Sequence, residues 1–203
     1  AGGPGIGLTR IDHVGQTMSS EEMSSWLLFY QSIFKTTKTP LVDVVDPGGL
    51  VRSQVVEGED KALRLTLNGA ESRRTLAGRF VAETFGSSLQ HLAFATDDIF
   101  ATAAKLAELG FEPLPISPNY FDDVEARFGL EPDLADRLRA NNILYDRDEH
   151  GAFFQLYAPA FGEGFVIEIV ERRGGYAGYG APNAPFRIAA QRRLMRPKGM
   201  PRS

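Results

Sequence analysis

Ile11-Asp12-His13-Val14 and Leu89-Gln90-His91-Leu92-Ala93-Phe94-Ala95 decide how this chain folds. Each is a short run of strand character, each carries a histidine at the same place near its start, and each leads into a helix signal, so they read as the openings of two copies of one unit. In the first copy Met23, Trp26, Leu27, Tyr30 and Phe34 recur at helical spacing from Ser20 to Phe34, with Ser19 or Ser20 available as a cap. Strand-like runs at Leu41–Val45, Leu50–Val56 and Ala62–Leu67 follow, separated by turns at Pro47-Gly48-Gly49 and Glu57-Gly58-Glu59-Asp60. In the second copy Thr96-Asp97-Asp98 starts a helix that runs through Leu109 and is closed by Gly110. Phe111–Leu114 reads as a strand, the polar insertion Tyr120 to Ala140 as helical, and Asn142–Asp146, Ala152–Tyr157 and Phe165–Val170 as further strands.

Each copy is therefore βαβββ, and two such modules, about residues 9–70 and 87–172, pair their sheets into a cup-shaped mixed sheet around a cleft, an α+β fold. Residues 1–8 read as a linker or cut end, 173–191 as a C-terminal segment and 192–203 as a flexible tail. The Gly- and Tyr-rich stretch from Gly174 to Asn183 is either a plain linker or the approach to a helix, Pro185 to Met195, that lids the cleft.

Composition narrows the function. At 43% hydrophobic residues the chain can bury a core, and a net charge of −4 argues against nucleic acid and anionic membranes as partners. No apolar run approaches a membrane span and no signal peptide is evident, so a cytoplasmic location is expected. With no cysteine, any metal must be held by His, Asp or Glu.

The chain has three histidines, and two of them, His13 and His91, occupy equivalent positions in the repeat. Glu168 lies in the last strand of the second copy, where alternation sets it on one face with Val166 and Val170. A carboxylate between two valines needs a partner, because an unpaired buried charge is expensive. His91 shares its face with Leu89, Ala93 and Ala95. A single strand histidine is most often a packed core residue and a lone buried glutamate a salt-bridge partner; the matched placement in a repeat is what points to a metal. Two imidazoles and a carboxylate make the facial triad of non-haem Fe(II) oxygenases, which leaves the far side of the metal for an α-keto acid and O2; the same donors admit Mn, Co or Mg. The counterpart of Glu168 in the first copy falls within Leu63–Leu67 and offers no carboxylate, so the repeat supports one metal site. His150, in a polar turn, reads as solvated.

These blocks, together with Phe154-Gln155-Leu156-Tyr157, Val166-Ile167-Glu168-Ile169-Val170-Glu171-Arg172-Arg173 and the Gly/aromatic stretch after them, resemble the C-terminal domain of 4-hydroxyphenylpyruvate dioxygenase, of the vicinal oxygen chelate superfamily, over roughly residues 8 to 191. The resemblance implies Fe(II) on His13, His91 and Glu168 as the catalytic centre, and substrate-side roles for Ser53, Asn68, Gln90, Gln155, Tyr157 and Asn183. Three departures fall on the hydroxyphenyl pocket and leave the metal set intact. Ala184 stands where the family places a ring-stacking Phe, Tyr157 where it usually has Phe, and Arg74-Thr75-Leu76-Ala77 where it carries a Gln.

Asn142 to Asp148 and Gly178 to Pro185 resemble a subgroup, the dioxygenase-like C-terminal halves of fused bacterial 3-dehydroshikimate dehydratases, which implies a dehydratase barrel ahead of Ala1. The expected function is thus an Fe(II) dioxygenase acting on an α-keto acid. The alternative is a support or assembly domain of such a dehydratase, in aromatic catabolism, with a retained metal site. A glyoxalase-type isomerase ranks last, since it wants a further carboxylate in the first copy. A homo-oligomer is expected.

Overall fold

The structure, a computed structural model, describes residues 5–195. Strand β1 (Leu8–Ser19) passes through a 3-10 turn into α1 (Met23–Phe34), and β2 (Thr37–Lys38), β3 (Val42–Asp46), β4 (Gly49–Glu57) and β5 (Arg64–Ala70) complete the first module. Helix α2 (Leu76–Glu83) crosses to β6 (Ser88–Thr96), followed by α3 (Ile99–Glu108), α4 (Pro118–Phe128), α5 (Pro132–Asn141), β7 (Leu144–Arg147), β8 (Gly151–Tyr157) and β9 (Val166–Gly174). A second 3-10 turn leads into α6 (Ala184–Leu194).

All nine strands form one sheet in the order β2-β4-β5-β1-β6-β9-β8-β7, with β3 also beside β4. At its centre β1 runs antiparallel to β6, and each is flanked by the last strand of its own module in parallel, β5 on one side and β9 on the other. The outer pairs of both modules are antiparallel. This is the repeated βαβββ arrangement that the two histidine strands announce.

The central seam departs from strict alternation in ways that matter for the site. Ile11 pairs with Phe94 and His13 with Ala93, so β1 advances two residues while β6 advances one and Asp12 is the extra residue of a bulge. Four positions on, Gly15 pairs with His91 and Gln16 with Leu89, which makes Gln90 the extra residue on β6. The bulge also removes Leu89 from the buried face expected for it; it is 53% exposed, whereas Ala93 and Ala95 are buried.

Several other expectations need correction. Phe111–Leu114 is not a strand: Pro113 and Pro115 cannot donate to a ladder, and only the Leu114 N–H reaches β8, at Tyr157 O (2.8 Å). The helical insertion is two helices, broken where Gly129 turns left-handed and Pro132 starts α5. Helix α2 was not read from residue periodicity, although the family resemblance places a helix ahead of the second histidine; Thr75 caps it by accepting from Gly78 N. Ser19 makes no side-chain cap, and the segment it opens starts as a 3-10 turn. The C-terminal helix continues through Leu194, so 192–194 belong to α6 rather than to a tail, and Arg192 pairs with Asp46. Residues 1–4 of the expected linker and 196–203 of the expected tail lie outside the described residues.

The larger core belongs to the second module. Helix α3 buries Ile99, Phe100, Thr102, Ala103 and Leu106, and these pack with Leu114, Tyr120, Leu138, Phe154 and Leu156. The first module's core is smaller, centred on Met18, Met23, Val56, Leu65 and Leu67. Burying each such large side chain contributes about 1.5–3 kcal/mol.

Candidate metal centre

His13 on β1, His91 on β6 and Glu168 on β9 converge because the register brings them to one shared neighbour. Ala93 pairs with His13 on one side and with Glu168 on the other, and His91 stands two residues before it. Space for the second imidazole comes from Gly15, opposite His91, where a Cβ would fall 2.7 Å from the His91 Cβ. His13 Nε2 lies 3.4 Å and His91 Nε2 2.6 Å from the same carboxylate oxygen, Glu168 Oε2, and one donor atom from each residue falls within 4.8 Å of the others. The sequence-predicted triad is therefore assembled. His150 is far from it in an exposed turn beside Glu149, as expected.

The donor set fits a divalent cation. Glu168 Oε2 and His91 Nε2 are buried, and the polar atoms near Oε2 are the two imidazole nitrogens that face it. A cation shared by the two imidazoles and the carboxylate would satisfy all three at once.

The other atoms of the ligands are held from behind. His13 Nδ1 meets Asp12 Oδ2 at 2.9 Å, which leaves Nε2 facing Glu168. Asp12 in turn accepts from Arg64 Nη1 (3.0 Å) and from Arg172 Nε (3.0 Å) and Nη2 (2.9 Å). Glu168 Oε1 accepts from Gln155 Nε2 (2.7 Å), Gln155 Oε1 from Asn183 Nδ2 (2.7 Å), and Asn183 Oδ1 from Tyr120 OH (2.9 Å). Partners of this kind fix the tautomer and orientation of metal ligands. Gly180, at φ +63°, makes room for the chain, since a Cβ there would lie 2.1 Å from Gln155 Oε1.

Charge is distributed accordingly. Burial lifts the Glu168 carboxyl, but the charge of His91 and the bonds from both histidines outweigh it and hold the carboxyl well below its ordinary range. Burial likewise opposes ionisation of Asp12, and the bonds from His13 and Arg172 overcome it, leaving its pKa lowered. For His13 burial pulls down, yet hydrogen bonds to Asp12 and Glu168 leave its pKa raised; for His91 burial prevails and its pKa is lowered.

Beside the two histidines lies a cavity of about 130 Å³, several times the ~15 Å³ that one ordered water needs. Ser53, Asn68, Gln90 and Tyr157, four of the residues to which the resemblance gives substrate-side roles, line it. Ser53 Oγ donates to Asn68 Oδ1 (2.9 Å), and Gln90 Oε1 accepts from Thr17 Oγ1 (2.6 Å). Gln155 and Asn183, also expected beside the substrate, are each 1% exposed and do not line this cavity; Gln155 donates to Glu168 and Asn183 to Gln155. Ala184, Arg187, Ile188 and Gln191 of α6 form one wall, so the C-terminal helix covers the cavity rather than trailing from it. Sequence reasoning missed Asp12, Tyr120, Arg187 and Gln191. The adjacency Asp12-His13 was the one available signal, and strict strand alternation points the two side chains apart; the bulge brings them together.

With this geometry in view, the chain belongs to the glyoxalase/bleomycin resistance protein/dioxygenase superfamily, whose model matches residues 10–154. It is 42% identical over 193 residues to a 3-dehydroshikimate dehydratase of Pseudomonas aeruginosa, covering 95% of this chain and 30% of that protein. A 4-hydroxyphenylpyruvate dioxygenase of the same organism is 26% identical over 180 residues, covering 88% of this chain and 50% of the relative. Among solved structures, a xylose isomerase-like TIM barrel/4-hydroxyphenylpyruvate dioxygenase fusion protein superposes with a TM-score of 0.78 at 38% identity, over 94% of this chain and 30% of that one. The chain thus spans about a third to a half of the length of these relatives.

Proposed function

We propose that the chain is a metal-dependent, dioxygenase-type domain acting on an α-keto acid and O2, with iron(II) held by His13, His91 and Glu168. The observation that carries this reading is the convergence of His13 Nε2, His91 Nε2 and Glu168 Oε2, three buried ligand atoms within 4.8 Å of one another beside a cavity. Iron(II) bound there supplies Lewis acidity and a redox couple for O2 chemistry. Gln155 occupies Glu168 Oε1 and so leaves Oε2 for the metal, while Asp12 does the same for His13 by occupying Nδ1. Along the cavity wall, the Ser53–Asn68 pair and Gln90 present hydroxyl and amide groups that orient a polar substrate. Burial and the Glu168 charge raise the Tyr157 hydroxyl far above its ordinary range, so it stays protonated as a donor. Helix α6 limits water at the site.

Similarity to the dehydratases, of which the chain spans 30%, favours a second reading: a support domain of a cytoplasmic dehydratase in aromatic catabolism, joined to a barrel, with the metal retained. Anaerobic reconstitution with iron(II), followed by metal analysis and O2 uptake with 4-hydroxyphenylpyruvate and smaller keto acids, separates the two. The first reading expects one metal per chain, keto-acid-dependent uptake and loss of both in Glu168→Ala. Metal without uptake transfers support to the second, and protein that binds no metal sinks the first.

A further inference from the structure

On the wall that α6 contributes to the cavity, Arg187 and Gln191 stand one helical turn apart, and their polar groups are incompletely matched. Arg187 Nη1 donates to Gln191 Oε1 at 3.0 Å. Since a guanidinium can only donate, this bond fixes the amide with its oxygen toward Arg187 and its nitrogen away. That nitrogen, Gln191 Nε2, is buried without a hydrogen-bond partner, in a residue only 4% exposed. No carboxylate among the described residues pairs with Arg187. Asp46, the acidic residue that also lines the cavity, is already taken by Arg192, Gly48 N and Leu76 N. The Arg187 guanidinium instead lies 5.5 Å from the centre of the Tyr157 ring, whose other neighbour is the metal-side His91 ring at 6.1 Å.

A cavity wall carrying a cation with no carboxylate partner among the described residues, held in place by the neighbouring Gln191, is built for an acceptor-rich anion. We propose that Arg187 and Gln191 together bind a second carboxylate of the substrate, at the end away from its keto-acid group, so that the preferred ligand is a 2-oxo diacid rather than an aromatic keto acid. This rests on the keto-acid reading of the metal centre and adds the chemistry of the remote end. The small Ala184 beside the pair leaves room there and offers no aromatic ring to stack on.

The test is anaerobic calorimetry on protein loaded with Co(II), comparing 2-oxoglutarate and 2-oxoadipate with the monoacids of equal length, 2-oxopentanoate and 2-oxohexanoate. Wild-type protein is expected to prefer a diacid by about 10- to 100-fold, the scale of a charge-assisted bond. In Arg187→Met that preference collapses toward unity. Gln191→Glu, which sets a carboxylate against the incoming one, reduces it as well and keeps the test valid if the arginine variant does not fold. Equal affinity for diacid and monoacid in wild type, or a preference unchanged in both variants, overturns the diacid proposal alone. Failure of all four acids to bind the loaded protein overturns the keto-acid reading along with it.

Discussion

The two modules share a topology and divide the work unequally. By register, Gly15 and Thr66 pair in the first module as Ala93 and Glu168 do in the second, so a threonine occupies the counterpart of the carboxylate ligand. The second module supplies two ligands and the Gln155 that steadies one of them; the first supplies His13 and much of the cavity wall, including Ser53, Thr66 and Asn68. Packing is divided the same way. Helix α3 buries five residues, whereas α1 buries Met23 alone and leaves Leu28, Phe29, Ile33 and Phe34 exposed by 67, 47, 56 and 49%. Each module brings one buried carboxylate to the site, Glu168 beside the histidines from the second and Asp12 behind His13 from the first, and the first also shapes much of the space beside them.

Stability probes sharpen this contrast most. Phe154→Ala, in the second core at 1% exposure, is expected to cost about 3–5 kcal/mol in denaturant unfolding. At the ligands, the first module's histidine depends on a rear carboxylate, and none backs His91 among the described residues. Asp12→Asn is therefore expected to weaken metal binding about 10- to 100-fold in competition with a chelator. A loss below threefold would mean that Arg64 and Arg172 hold β1 without it. Because the His13 pKa is raised, a proton competes with the metal on the acid side of that value, and metal affinity falls there by about tenfold per pH unit and levels off above it. A titration flat from neutral pH downward would place the proton elsewhere. The smallest effect belongs to Leu28→Ala on α1, within about 0.5 kcal/mol; a cost near that of Phe154→Ala would show that a partner covers this helix in solution.

Much of this was legible in the sequence because the repeat encoded it. Histidines at matched strand positions and a glutamate flanked by valines gave the triad and the seam on which it sits. What escaped reading was irregular backbone. Alternation could not place Asp12 behind His13, since the bulge at that residue breaks the two-residue period. The chain of bonds from Tyr120 through Asn183 and Gln155 to Glu168 was equally hidden, because only the tertiary packing of α4 and the segment around Gly180 brings these side chains together. Helix α2 hid behind a polar start at Arg73-Arg74 and a glycine at 78, although Thr75 with Ala77 and Phe80 offered a cap and an apolar spacing.

The bonds that steady the site also set when it can exist during folding. Arg172 reaches Asp12 across 160 residues of chain, and Arg192 reaches Asp46 across 146. Contacts of such span close only after both modules have formed, since the entropy of the intervening chain must first be lost. The pocket is thus expected among the last features to be completed, and a metal ion bound there would report the joining of the two modules rather than the formation of either.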